Sequence, residues 1–207
     1  MSSTLFFLDI MLKYAHMTHI IDGKAIAQNL LDRLKQEVKK LKKAPKLAVV
    51  YVGGDKPSNT YIKRKKEAAE YVGIDFDLHK FPADISKDNL VDEIKKIQKD
   101  KDLSGLIVQL PLPEPLFTTE VLNAVESKFD VDCLSDAQLG KLVMKTNTIS
   151  PPTPEAVCVV LDEIGVYVKG KNIVIIGAGA LVGKPLATIL LNKEATVTTC
   201  NIHTKNT

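Results

Sequence analysis

Apolar residues recur along the chain at two spacings, and the order in which those spacings alternate predicts the architecture. From Met17 onward, Ile26, Leu30, Leu31, Leu34, Val38 and Leu41 form a helical stripe with lysines on the opposite face. After Pro45 the short apolar run Leu47 to Val52 reads as a strand and Ser58 to Val72 as a helix, which is βα order. Residues 74–81, IDFDLHKF, alternate with period two, and Asn89 to Lys99 reads as a polar amphipathic helix. The run 103–113, LSGLIVQLPLP, is continuously apolar, as expected of a parallel strand covered on both faces. A short helix around Glu120 to Val125 precedes an irregular stretch that holds Asp130 and Asp132. Residues 151–165 read as a helix entered through Pro154 and stopped at Gly165.

The last segment forms a unit of its own. It consists of a buried-strand pattern at 172–177, NIVIIG, a glycine turn, a helix at 181–192 and a strand at 195–200. The pattern therefore predicts an α/β chain, with an N-terminal α/β domain at 17–150 and the first half of a doubly wound Rossmann domain at 151–207. Two parallel strands leave an exposed edge and uncovered faces, so the chain is expected to be a C-terminally truncated piece of a longer protein. Residues 1–16 read either as a functional extension or as an upstream misassignment, with Met17 as the start of the organised sequence. Their apolar patch, Leu5 to Leu8, has neither a basic stretch before it nor a small-residue cleavage site after it, which makes a poor signal peptide.

Composition narrows the function classes. With 45% hydrophobic and 26% charged residues the chain is globular, and no stretch approaches the roughly 20 apolar residues of a membrane helix. A net charge of +3, with lysines interspersed among acids, gives no field that would recruit nucleic acid. Arg33 and Arg64 are the only arginines, which leaves few bidentate anion clamps. Cys133, Cys158 and Cys200 are scattered without a CxxC, as expected in a reducing, cytoplasmic setting without a disulfide framework or zinc site. No metal is expected.

Three features carry candidate chemistry. Gly177, Gly179 and Gly183 lie between a strand and a helix, where glycine admits close approach of a dinucleotide pyrophosphate to the backbone. The spacing is GxGxxxG, longer by one than the common fingerprint, and any βα turn can require glycine. Near Cys200 and Asn201, where an acid would bind the ribose about twenty residues on, there is neither carboxylate nor arginine, so NAD and NADP are not separated. In the helix 58–72, Lys65 falls in the apolar sector of Ile62, Ala68, Ala69 and Val72, whereas Lys63, Lys66, Glu67 and Glu70 lie opposite. A lysine in a KRKK run is by default a solvated charge, or one that snorkels at an apolar edge. Kept partly desolvated, it becomes a candidate for proton transfer, and Tyr61 lies one turn before it on the same face. Gln109 closes a buried strand at its carboxyl end, where open α/β sheets place their ligands, and 110–113, Leu-Pro-Leu-Pro, is rigid and extended.

Taken in order and spacing, YIKRK, GLIVQLPLP, DVD, PPTP and IIGAGALVGKPL resemble the methylenetetrahydrofolate dehydrogenase/cyclohydrolase family from about Ile20 onward. The resemblance implies a folate-site domain facing a Rossmann domain across a cleft, usually in a homodimer. It also implies oxidation of 5,10-methylenetetrahydrofolate with NADP and hydrolysis of the methenyl product to 10-formyltetrahydrofolate, reactions that serve one-carbon metabolism and purine biosynthesis. Carried over by residue, Lys65 matches the catalytic lysine, Gln109 its hydrogen-bonding partner, Asp132 the pterin ligand and Tyr61 the residue that stacks on folate. Leu110 and Pro111 belong to the same substrate-binding motif. Gly177, Ala178, Gly179, Gly183 and Thr204 match cofactor-contacting positions.

The chain departs from the family pattern at several places. Phe129 and Cys133 replace Lys and Gly around DVD, Pro152 replaces a cysteine, and Gly179 replaces a serine. Ala178, Asn201 and Ile202 stand where an arginine or serine would hold a 2′-phosphate, so relaxed cofactor choice is expected, with NAD competitive. A monofunctional NAD-dependent dehydrogenase and a folate-binding fragment without turnover are the alternatives; retention of Lys65 argues against the first.

Overall fold

The computed structural model describes residues 20–54 and 56–205; the extension at 1–16 lies outside them. Among the described residues there are seven helices and five strands. The strands form two parallel sheets, one of three with Lys46–Val52 between Asp75–Phe81 and Leu103–Val108, and one of two, Asn172–Ile176 beside Thr196–Cys200.

Helix α1 (Gly23–Val38) starts where the Asp22 carboxylate accepts hydrogen bonds from the Lys24 and Ala25 amides, each at 3.0 Å. Strand β1 (Lys46–Val52) follows, then α2 (Lys56–Val72), β2 (Asp75–Phe81), α3 (Lys87–Ile97) and β3 (Leu103–Val108). β1 lies between β2 and β3, parallel to both, which accounts for its continuous apolar sequence. Its alternate residues supply two cores. Ala48, Val50 and Val52 pack with Leu90 and Ile94 of α3, whereas Val49 and Tyr51 pack with Ile62 of α2 and Ile107 of β3. At the start of the strand Lys46 Nζ pairs with Asp77 at 3.0 Å and Asp100 at 2.8 Å, and these bonds push its proton affinity up. α3 begins two residues before the expected Asn89, because Ser86 caps it through the Asn89 amide.

The stretch expected to be irregular after the short helix α4 (Thr119–Asn123) contains a further helix, α5 (Asp136–Val143). Ser135 caps it, and the buried side chain of Gln138 donates to Ser127 O at 2.8 Å. A helix whose inward face includes a glutamine and whose interior holds Gly140 has no apolar period to read. Helix α6 (Pro152–Glu163) starts at Pro152, with Pro151 at its N-cap, so Pro154 lies inside the first turn.

The second sheet consists of β4 (Asn172–Ile176) and β5 (Thr196–Cys200), joined by α7 (Gly183–Asn192). Ile173, Ile175 and Val197 pack on Leu186, Ile189 and Leu190. The other face is open. Val174 is 62% and Ile176 81% exposed, so β4 departs from the buried strand its sequence predicts, because helices cover it from one side only. α7 packs against α5 and α6, and Asn192 Nδ2 donates to Leu142 O at 2.7 Å. Among the described residues no helix is long and apolar enough to cross a membrane, and no cluster of metal-ligating side chains is found.

Candidate active site

The segment directly after β3, the α2 face, the turn at Asp132 and Leu134 and the start of α6 line a cleft of about 400 Å³. α2 brings Tyr61 and Lys65 to it. Ile62, Ala69 and Val72 of that helix are buried, while Lys63, Lys66, Glu67 and Glu70 are exposed. Lys65 is half-buried at the cleft end of the apolar face, and the Tyr61 ring, 59% exposed, stands at the rim.

Gln109 is buried directly after β3, its amide donating to Val50 O. Its side chain is held on both sides: Nε2 donates to Leu110 O at 2.6 Å, and Oε1 accepts from Lys65 Nζ at 3.1 Å. The ammonium group is thereby aimed by a buried amide whose second group is already bonded. Asp132 lines the same cleft, and no donor among the described residues hydrogen-bonds to its carboxylate. Burial, foremost, pushes its proton affinity up; Lys65 opposes this and Asp130 adds to it. A largely desolvated carboxylate without a protein donor is suited to accept N–H groups from a ligand.

Pro151, Pro152 and Thr153 form the opposite wall. Pro152 and Pro154 have no N–H, which leaves Thr153 as the amide donor between them in the first turn of α6. Leu181 reaches the cleft from the glycine turn, so the turn and the Lys65 site share one cavity wall.

The turn itself fits a nucleotide phosphate. Gly177 has φ +114°, and a Cβ on Gly183 would stand 1.8 Å from Gly177 O, so both positions require glycine. A Cβ on Gly179 would meet nothing within 4 Å, which leaves open space over the turn. α7 carries no side-chain cap at Val182. The extra residue in GxGxxxG is thus accommodated, because it is Gly183 that packs against the turn. Ala178 is half-buried beside these glycines, and Thr204 closes the turn after β5, its Oγ1 accepting from the Asn201 amide at 2.9 Å.

The sequence pattern of the tetrahydrofolate dehydrogenase/cyclohydrolase catalytic domain matches residues 21–132, and that of the family's NAD(P)-binding domain matches 151–207. The chain belongs to this family. It is 41% identical over 191 residues to the bifunctional protein FolD of Nitratiruptor sp., covering 90% of this chain and 68% of the relative. Among solved structures it resembles the FolD methylenetetrahydrofolate dehydrogenase/cyclohydrolase of Campylobacter jejuni, with TM-score 0.87 and 35% identity over 89% of this chain and 67% of that one. The Trypanosoma brucei dehydrogenase-cyclohydrolase, solved with NADP and an inhibitor, aligns with TM-score 0.85 and 31% identity over 90% of this chain and 65% of that one. The chain thus spans about two thirds of the length of these relatives.

Against the family pattern, the structure draws together Tyr61, Lys65, Gln109, Leu110 and Asp132, drawn from three separate segments. Pro111 does not line this cleft; it faces an adjoining apolar recess with Phe117 and Leu181. Cys133, where the family carries glycine, adopts φ +55° and is buried. The left-handed turn is therefore kept despite the side chain, at a cost on the order of 1–2 kcal/mol. Burial pushes the thiol up to about 12, so Cys133 is an inert filler beside Asp132. Leu134, Thr153 and Leu181 are lining residues that sequence reasoning missed. Thr153 lies within the quoted PPTP motif; Leu134 and Leu181 are ordinary leucines until the fold places them.

Proposed function

We propose that the cleft binds a reduced folate carrying a one-carbon unit, and that the enzyme oxidises 5,10-methylenetetrahydrofolate with NADP and hydrolyses the methenyl product to 10-formyltetrahydrofolate. The observation that carries this reading is the Lys65 Nζ–Gln109 Oε1 bond of 3.1 Å beside a desolvated, unpartnered Asp132, in a cavity that the glycine turn also lines. Asp132 accepts the pterin N–H groups, and the Tyr61 ring stacks on the folate at the rim. Leu110 flanks the ring system, and Pro111 stands in the adjoining recess. Lys65, oriented by Gln109, holds the one-carbon unit and assists the water that attacks the methenyl carbon. One proton of that water passes to solvent as its oxygen bonds to carbon; the other moves from the resulting hydroxyl to the ring nitrogen as the ring-side carbon–nitrogen bond breaks, which leaves the formyl group on the other nitrogen.

A nicotinamide nucleotide bound at the glycine turn would supply the hydride acceptor for oxidation of the methylene carbon. Gly177, Ala178, Gly179 and Gly183 would hold its phosphates, with Thr204 nearby. Residues 17–150 form the folate-side domain and 151–207 the nucleotide-side one. The enzyme acts as a homodimer in the cytoplasm, and its product supplies formyl groups to purine biosynthesis; family resemblance supports these three statements. Two assays on the full chain test the central reading: NADP reduction with 5,10-methylenetetrahydrofolate, and loss of methenyl absorbance in water. Folate binding without either turnover would reduce the protein to a binding module.

A second reading concerns the cofactor. Ala178, Asn201 and Ile202 carry no charge where a 2′-phosphate would be held, which favours relaxed choice. Comparable kcat/KM for NAD and NADP is expected, and a strong preference for NADP would overturn it.

A further inference from the structure

Asp132 sits in a turn with little of its own to hold it. The turn runs from β3, where Leu106 N donates to Phe129 O at 2.7 Å, to Ser135 at the start of α5. Between these points lie Val131, Asp132 and Cys133, the last in a left-handed conformation. The Asp130 side chain bridges the turn. It is 3% exposed, and its two carboxylate oxygens accept from Leu134 N at 3.2 Å and Ser135 N at 2.8 Å. A buried carboxylate with both oxygens bound to backbone amides is a rigid brace, because neither bond has water to replace it.

The brace also has a floor. A Cβ on Gly105 would stand 2.7 Å from Val131 Cγ1, so the β3 backbone supports the turn where only glycine fits. Gln138 and Lys141 of α5 tie the helix to Ser127, each at 2.8 Å, which anchors the far end.

We infer that Asp130 is a positioning residue for the folate site: by bridging the turn through the Leu134 and Ser135 amides, it sets where the Asp132 carboxylate stands in the cleft. This rests on the reading above that Asp132 binds the pterin. Asp130 also acts on Asp132 through its charge. The ionisable groups that influence Asp132 are Lys65 from α2, which favours the carboxylate, and Asp130, which disfavours it; the thiol of Cys133, pushed up to about 12, is uncharged at neutral pH. Loss of the Asp130 charge therefore lowers the pH at which Asp132 takes up its proton.

The test compares Asp130→Asn, Asp132→Asn and the double variant of the full chain by equilibrium binding of a stable reduced folate, 5-formyltetrahydrofolate, across pH. Asparagine offers one acceptor in place of two, and a misplaced side chain at such a site costs on the order of tenfold or more in affinity. Asp130→Asn is expected to bind about tenfold more weakly, and the double variant no more weakly than Asp132→Asn alone. The loss of affinity on acidification should shift to lower pH in Asp130→Asn, which a purely structural support would not do. Wild-type affinity in Asp130→Asn, or additive losses in the double variant, would overturn the inference. Unchanged affinity in Asp132→Asn would instead sink the parent reading, and this proposal with it. If Asp130→Asn does not fold, Gly105→Ala disturbs the turn from beneath without touching either acid. It should weaken folate in the same direction; a folded Gly105→Ala variant with wild-type affinity overturns the inference.

Discussion

β1 and β4 are built from similar apolar runs, KLAVVYV and NIVII, and bury them in opposite ways. Every residue of β1 from Ala48 to Val52 is buried, whereas Val174 and Ile176 of β4 lie 62% and 81% exposed. The difference comes from neighbours rather than composition. β1 has a strand on each side and helices over both faces, and β4 has one strand and one covered face. Full burial of a Val or Ile side chain contributes about 1.5–3 kcal/mol, a gain β4 forgoes on its open face. The first sheet is therefore the firm frame from which Gln109 and the Lys65 helix project, and the second is a platform held from one side.

Substitutions in each sheet and at the cleft test how far this difference reaches. The largest effect is expected for Lys65→Met, which removes the aimed amine from the firm frame. Methenyl hydrolysis should fall by about 10²- to 10⁴-fold while folate binding stays measurable, and normal hydrolysis in the variant would refute its role. Next, Ile94→Ala empties a fully buried site under β1 and should cost about 2–5 kcal/mol in denaturant unfolding.

Asp132→Asn should act in opposite directions on function and stability. Burial raises the folded-state proton affinity of Asp132 above that of the unfolded chain. The group's favourable contribution is then present at low pH and is lost as pH rises through its folded value. At neutral pH the half-buried carboxylate is a cost that Asn removes. The variant should melt higher than wild type at pH 7, and the gap should close below about pH 4, even though folate affinity falls. A lower melting temperature at pH 7 would contradict the assigned environment. The smallest effect is expected for Ile176→Ala, within about 0.5 kcal/mol, because the side chain has little burial to lose. A loss equal to that of Ile94→Ala would erase the contrast between the sheets.

Much of the fold was legible from local patterns. The stripe of α1, the runs of β1 and β3 and the alternation of β2 each carry their own period, and Gly177 and Gly183 mark a βα turn. The placement of Lys65 followed from counting around a helix, since an amphipathic face is a local property. α5 escaped, because Gln138 buries a polar side chain through a bond to Ser127 that no periodicity announces. Leu181 and Asp130 escaped for the same kind of reason: a leucine in a turn and an acid in a loop acquire roles only from what the chain brings opposite them.

The alternation of strand and helix, the glycines a tight turn requires and the face on which Lys65 lies are written in local sequence. These depend on dihedral freedom and on residues within a turn of one another. That Lys65 meets Gln109 across 44 residues of chain, that Asp130 braces the turn of Asp132 and that β4 keeps one face open are settled by how the segments pack. Contact, burial and desolvation belong to pairs of segments distant in sequence, and they exist only once the chain has closed on itself.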